Sequence, residues 1–381
     1  MEFRDLKQQY QLHKTEIDSA IQRVLTQADF INGRYVKQLE TELAEYVGVK
    51  HCITCANGTD ALQLALMTWG IGPGDAVFVP DFTFFASGEV VPMVGAVPVF
   101  VDIEEETYNI SAVSLESAVQ YILQQTNLKP RVVIAVDLFG QPADFEQIRK
   151  VADKYNLLVL EDAAQGFGGR IADKRACSFG DIATTSFFPA KPLGCYGDGG
   201  ALFTDDDEWA ELVRSYCVHG KGQDKYDNVR IGMNSRLDTL QAAVLLEKLK
   251  FFDEEIEVCN QLAMLYNMLL QDIVKIPTIL SQSYSSWAQY TIMLQSKEQR
   301  DEIERYFKDI RIPVAVYYRK AMHQQQAFAG DVLEICNNYI STKICQKCLS
   351  LPMHPYLEKK DIVNICKNFF DSAVYKSEKI L

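Results

Sequence analysis

Short apolar runs alternate with amphipathic stretches through the first half of the chain. AVFVP (76–80), VPVFVDI (97–103), RVVIAVDLF (131–139), LLVLED (157–162) and DIATTSF (181–187) predict buried strands. Apolar residues at helical spacing fill the gaps, at 59–69, 83–94, 112–124 and 143–155. This alternation predicts an α/β fold with a mostly parallel central sheet and helices on both faces. Ligands of such sheets bind beyond the carboxyl ends of the strands. Asp81, Asp137, Glu161, Asp162 and Ser186 fall at those ends. The texture changes near 235, where a long helical pattern (235–272) reads as a connector. Short strands (SWAQYTIML, IPVAVYY) and helices (299–309, 361–375) follow. The expected division is a large domain over 1–245 and a small α+β domain over 246–381. An N-terminal helix, 7–25, can pack on either.

Composition narrows the class without naming it. The 381 residues suit roughly two domains. Lys+Arg minus Asp+Glu is 38 − 51 = −13, which disfavours a general binder of nucleic acid or of anionic membrane. The opening MEFRDLKQQYQLHKTEID lacks the apolar core of a signal peptide, and no run is long enough to span a membrane. A cytoplasmic protein with reduced thiols is therefore expected. Cys52/Cys55 and Cys345/Cys348 have the spacing of a zinc site. However, HCITCAN is strand-like, so Cys52 and Cys55 point apart, and the second pair falls in a predicted helix. Both pairs are read as packing residues, and no metal is expected.

Three stretches carry candidate chemistry. In NGTDALQLAL (57–66), Gly58 permits a tight turn and Thr59 and Asp60 open a helix. Its free N–H groups suit an anion, although a plain Asn or Thr cap explains the same letters. In LLVLEDAAQGFGG (157–169), a buried strand ends in Glu161 and Asp162. A carboxylate there needs a partner, whether a cationic ring nitrogen, a metal or the N–H groups of the next helix. Gln165 can hydrogen-bond a neighbouring oxygen. In TTSFFPAKPLGCYGDGG (184–200), Lys191 stands in apolar company, with Ser186 before it. Such a lysine is either a Schiff-base former of depressed pKa or a snorkelling surface charge. As a set these parts match what holds pyridoxal 5'-phosphate. The helix start and Ser186 take the phosphate, Asp162 the pyridine nitrogen, Phe84 of DFTFFAS the ring face, and Lys191 the aldehyde carbon.

CANGTDAL, FTFFAS, LFGQPADF, EDAAQGFG, SFFPAKPLGCYGDGGA, GMNSRLDTLQAA and LPMHPYL occur in this order along nearly the whole chain. The sequence thereby resembles the DegT/DnrJ/StrS nucleotide-sugar aminotransferases, which have the PLP-dependent transferase fold of type I. SFFPAKPLGCYGDGGA and NSRLDTLQAA are especially similar to members that aminate UDP-2-acetamido-2-deoxy-3-oxo-glucuronate for surface polysaccharides. The resemblance implies an amino group moved from L-glutamate to a nucleotide-linked keto-sugar. It makes Lys191 and Asp162 catalytic, and Gly58, Thr59, Phe84, Gln165 and Ser186 cofactor contacts. It implies a homodimer in which Asn234 reaches the phosphate, and Arg236 the substrate, of the other subunit. Relatives often read Y-P-I-P-L where this chain has Tyr318-Arg319-Lys320-Ala321-Met322. Tyr318 and Arg319 are accordingly candidate sugar contacts, with Arg319 and Lys320 either meeting a substrate carboxylate or diphosphate or standing as solvated loop charges. Lys191 favours transamination over the dehydratases of the family. The same motifs would also suit a 4-keto-sugar or dTDP-sugar aminotransferase, or a PLP-binding regulator without turnover.

Overall fold

The computed structural model describes residues 1–224, 226–330 and 339–372. In chain order the strands are β1 (His51–Cys55), β2 (Asp75–Pro80), β3 (Val97–Val101), β4 (Lys129–Val136), β5 (Leu158–Asp162), β6 (Arg170–Ile171), β7 (Lys174–Arg175), β8 (Ile182–Ser186), β9 (Gly200–Thr204), β10 (Ser283–Tyr284), β11 (Tyr290–Met293) and β12 (Cys348–Leu351). The first seven helices are α1 (Leu6–Leu12), α2 (Lys14–Gln27), α3 (Arg34–Val47), α4 (Gly58–Thr68), α5 (Ala86–Met93), α6 (Ala112–Gln125) and α7 (Phe145–Tyr155). The others are α8 (Asp207–Tyr216), α9 (Thr239–Leu249), α10 (Phe252–Leu270), α11 (Lys297–Asp309), α12 (Tyr339–Lys347) and α13 (Lys359–Asp371). The central sheet has the order β1-β9-β8-β5-β4-β2-β3. β9 lies antiparallel between β1 and β8, and the remaining neighbours pair in parallel.

Strand alternation sends successive side chains to opposite faces. Val132, Leu160, Ile182 and Leu202 join the core built by α4, α5 and α8. Val133 and Val159 join α6 and α7, while Ala183 and Phe203 join α3 and α9. Counting by twos along β5 and β8 therefore places Asp162 and Ser186 on the α4/α5 side and Glu161 on the other. Cys52 and Cys55 enter different cores, as expected from a strand. The described cysteines are all buried and unpaired with one another. Cys345 lies in α12, but Cys348 opens β12, so that pair is not helical throughout.

Other departures have local causes. The long pattern after 235 is two helices, broken at Lys250 and Phe251, where the Phe251 ring stacks on His13 at 3.5 Å. The N-terminal helix is likewise two, α1 and α2. α2 packs on α9, with Arg23 paired to Glu247 at 3.1 Å. IPVAVYY forms no strand; only Ala315 bridges to Ser350. Pro313 has no N–H to give a ladder. β4 stops at Val136 because Phe139 turns into the left-handed region at φ 59°. The 361–375 helix ends at Asp371, and its last three expected residues lie outside the described ones. The expected boundary after 245 falls inside α9. Phe252 and Ile256 still pack with the large core, Cys259–Leu270 form a separate core with residues of β11, β12, α11 and α13, and Met322, Phe328, Ile344 and Cys345 return to the core of the large unit. Gly140 (φ 114°) joins the two units: a Cβ there would lie 2.6 Å from the Trp287 nitrogen.

Glu161 points away from the site and accepts from the N–H groups of Cys177, Phe179 (2.7 Å) and Gly180 (3.1 Å). It thus builds the 177–180 turn. Asp137 accepts from Ala143 N–H at 3.0 Å, but its Oδ2 is buried without a hydrogen bond. Burial first, then mutual repulsion, pushes Asp137 far up, and burial pushes Glu161 up to about 7. Carboxyls raised on folding stabilise below their ordinary values and lose that contribution as pH rises through the folded ones. The urea midpoint should therefore fall as pH goes from about 6 to about 8, and fall less in Asp137→Asn. Equal slopes in the two proteins would show that this pair does not titrate with folding.

Candidate active site

The site lies where β5 and β8 end under the first turns of α4 and α5. Asn57 caps α4: its side chain accepts from Asp60 N–H at 2.8 Å. The plain-cap reading is thus correct as far as it goes. It leaves the N–H groups of Gly58 and Thr59 without a hydrogen bond among the described residues. Two such donors on a helix dipole form a ready anion cradle. Gly58 is required by close approach, since a Cβ there would lie 2.7 Å from Ser186 Cβ. Ser186 is thereby set against the helix start. Its hydroxyl accepts only a long bond, 3.3 Å, from Phe188 N–H.

Asp162 is buried, and no cation among the described residues lies within ion-pair distance of it. Its Oδ2 accepts from the Ser87 hydroxyl at 2.8 Å and its Oδ1 from Ala164 N–H at 3.2 Å. Burial pushes the carboxyl up, and Ser87, the Ala164 N–H and the charge of Lys191 draw it back. A ring cation placed against it would complete what these neighbours begin. Lys191 is half-buried, with its amine 6.0 Å from the centroid of the Phe84 ring and without a side-chain hydrogen bond among the described residues. Burial lowers its pKa, Asp162 raises it and Arg4 lowers it again. Phe84 is 53% exposed, an aromatic face left open beside an amine.

Gln165 spans the floor. Its Oε1 accepts from Phe139 N–H at 2.8 Å, and its Nε2 donates to the Tyr318 hydroxyl at 3.2 Å. Tyr318 packs against Phe84, with centroids 6.3 Å apart. The fold thus brings together Gly58, Thr59, Phe84, Asp162, Gln165, Ser186, Lys191 and Tyr318. Arg319 is on the surface, ion-paired with Glu304 of α11. Asn234 is exposed and Arg236 half-exposed, in the segment before α9. The parts that are assembled fit pyridoxal phosphate: an anion cradle, a buried carboxylate lacking a cation, an open aromatic face and an unpartnered amine. Among the described residues no group of three His, Cys, Asp or Glu side chains is placed to hold a metal.

Two contacts of the site escape sequence reasoning. Ser87 stands in DFTFFAS as one more small residue, and its link to Asp162 spans 75 positions. A lone hydroxyl in the first turn of an apolar helix is the available signal. Asp81 is conspicuous as a strand-end acid, but its partner is not: His323 Nδ1 lies 2.7 Å from Asp81 Oδ2. Hydrogen bonds to charged groups set the scale for Ser87→Ala, which should lower kcat about tenfold and leave cofactor affinity within about twofold. Unchanged kcat in that variant would remove Ser87 from the site.

Comparison with known proteins agrees with this geometry. Residues 11–370 match the model of the DegT/DnrJ/EryC1/StrS aminotransferase family. UDP-2-acetamido-2-deoxy-3-oxo-D-glucuronate aminotransferase of Pseudomonas aeruginosa is 44% identical, over 96% of this chain and 98% of the relative. A family aminotransferase from Brucella abortus superimposes with TM-score 0.93 at 46% identity, covering 97% of this chain and 99% of that one. NtdA of Bacillus subtilis, solved with bound cofactor PMP, has TM-score 0.84 at 28% identity, covering 97% and 83%. The chain belongs to the DegT/DnrJ/EryC1/StrS family and is a PLP-dependent aminotransferase.

Proposed function

We propose that this enzyme moves the amino group of L-glutamate to C3 of UDP-2-acetamido-2-deoxy-3-oxo-D-glucuronate, in the cytoplasm, for a surface polysaccharide. The observation that carries the reaction is Lys191, an amine with no hydrogen bond among the described residues, beside the open Phe84 ring and within electrostatic reach of the buried Asp162. The 44% identity over nearly the full length of a curated relative supports the choice of sugar.

Bound pyridoxal phosphate supplies an electron sink for the α-carbon of the donor. The N–H groups of Gly58 and Thr59 and the Ser186 hydroxyl bind the phosphate, with the helix dipole favouring its charge. Asp162 holds a proton on the ring nitrogen, and Ser87 orients the carboxylate for it. Gln165, fixed by Phe139 and Tyr318, would meet the ring hydroxyl. Lys191 is the attachment point. Its free amine would take a proton from the α-carbon of L-glutamate in the first half-reaction and deliver one to C3 of the sugar in the second. Burial keeps a larger share of that amine neutral than in an exposed lysine. Two substrates using one site in turn imply ping-pong kinetics.

The same reading makes the enzyme a homodimer. Asn234 and Arg236 would serve the phosphate and the sugar of the partner's site. Val229 and Ile231, the latter 90% exposed, stand just before them, and exposed apolar side chains of this kind suit a surface covered by another subunit. Arg319 is the candidate for the sugar carboxylate. Its pairing with Glu304 uses part of a five-donor group whose side chain is half in solvent.

L-glutamate should bleach the visible absorbance of the holoenzyme, and one sugar from a panel of nucleotide keto-sugars should restore it. A spectrum indifferent to L-glutamate would exclude it as donor. Lys191→Ala should keep the fold, by circular dichroism, and lose turnover; activity within about tenfold of wild type would exclude Lys191 as the catalytic amine. Arg319→Ala should raise KM for the sugar about tenfold without changing KM for L-glutamate. Equal KM values for the sugar would place Arg319 outside the site.

A further inference from the structure

We propose that Arg4 is a positioning residue for Lys191: it holds the lysine turn from behind and is a fixed positive charge near the amine. Side chains from elsewhere in the chain occupy carbonyl groups of the turn that follows Lys191. Arg4 Nη2 donates to the carbonyls of Lys191 at 2.9 Å and of Pro192 at 3.3 Å. Lys248 Nζ, from α9, donates to the carbonyl of Gly194 at 2.6 Å. On its other side the turn is closed by Lys191 N–H donating to Phe188 O at 2.8 Å. Charge-assisted bonds of this sort hold a backbone more firmly than neutral ones.

Arg4 is itself anchored. Asp5 caps α1 by accepting from Gln8 N–H at 2.9 Å. Phe3 meets the Tyr317 ring edge-on, with centroids 6.2 Å apart, and His354 Nε2 lies 3.3 Å from the Glu2 carbonyl. The segment 2–5 therefore runs between the small unit and the lysine turn. Behind it Glu255 of α10, bound by Gln9 at 3.3 Å and by Tyr356, balances the two cations. The titratable groups near Arg4 are thus Glu255 and Cys259 of α10, Lys248 of α9 and His354. Asp162 is the charged group on the cofactor side of Lys191. The Arg4 charge and burial act on the amine in the same direction, against Asp162.

This inference rests on Lys191 being the attachment point, which is tested separately. Borohydride reduction of the wild-type holoenzyme, followed by peptide mapping, should fix the cofactor mass on Lys191. A label elsewhere would overturn that reading and this one with it. With the label on Lys191, the visible absorbance of holoenzyme variants is titrated with pH. Arg4→Ala should move the midpoint upward and lower kcat about tenfold, with KM for L-glutamate within about twofold. Arg4→Gln, which keeps a donor and supports folding of the segment, should show the same upward shift. Arg4→Lys should keep the wild-type midpoint and regain only part of kcat, because an ammonium lacks the planar fork. An unmoved midpoint in both Arg4→Ala and Arg4→Gln, even with a lower melting temperature, would overturn the proposal and leave Arg4 a structural residue.

Discussion

A carboxylate sealed from water at the end of β5 sets the terms for the rest of the structure. Asp162 has one hydroxyl and one backbone N–H for company, and burial outweighs what they give. An ionised acid in such a place is stabilised only by a cation brought to it. Around this constraint α5 is placed to present Ser87, and β8 to bring Ser186 under the start of α4. Lys191 is held near by a turn that returns to the sheet at β9. Each of these parts is ordinary alone. Their convergence on one face of the sheet follows from the two-residue period of β5 and β8, which also sends Glu161 to the opposite face, where it builds a turn.

Much of this arrangement is legible in the sequence. Buried strands announce themselves as unbroken apolar runs, and a helix start as Asn-Gly-Thr-Asp, because both are local patterns. The end of β5 at Asp162 and the first turn of α4 at Gly58 therefore follow from the letters alone. Breaks governed by one contact are not legible: the α9–α10 junction depends on Phe251 stacking on His13, from the far end of the chain. Nor are pairs joined only in space, such as Asp81 with His323 or Arg4 with the carbonyl of Lys191. IPVAVYY misleads for a different reason. Its composition favours a strand, while Pro313 and the lack of a long partner edge leave one bridge.

The two units are joined at the site and elsewhere, as where Asp102 accepts from Ser341 N–H at 2.9 Å and Lys343 donates to Glu105 at 2.9 Å. Tyr318, from the segment leading out of the small unit, bonds Gln165 of the large one. His323 is fixed by Asp81 at the end of β2, and Ser286 N–H donates to the Gly140 carbonyl at 2.9 Å. A shift of the small unit would therefore reach the floor of the site through Gln165, and would carry Arg319 with it.

The cysteines carry a different consequence. All nine described ones are buried, and burial raises every one of their thiols above the ordinary value. Only the thiolate reacts with electrophiles, so the folded interior offers these reagents almost nothing. Each of the nine becomes reactive when its own core opens. Because they are distributed over three separate cores, the order in which a maleimide marks them is a map of which part of the molecule lets go first.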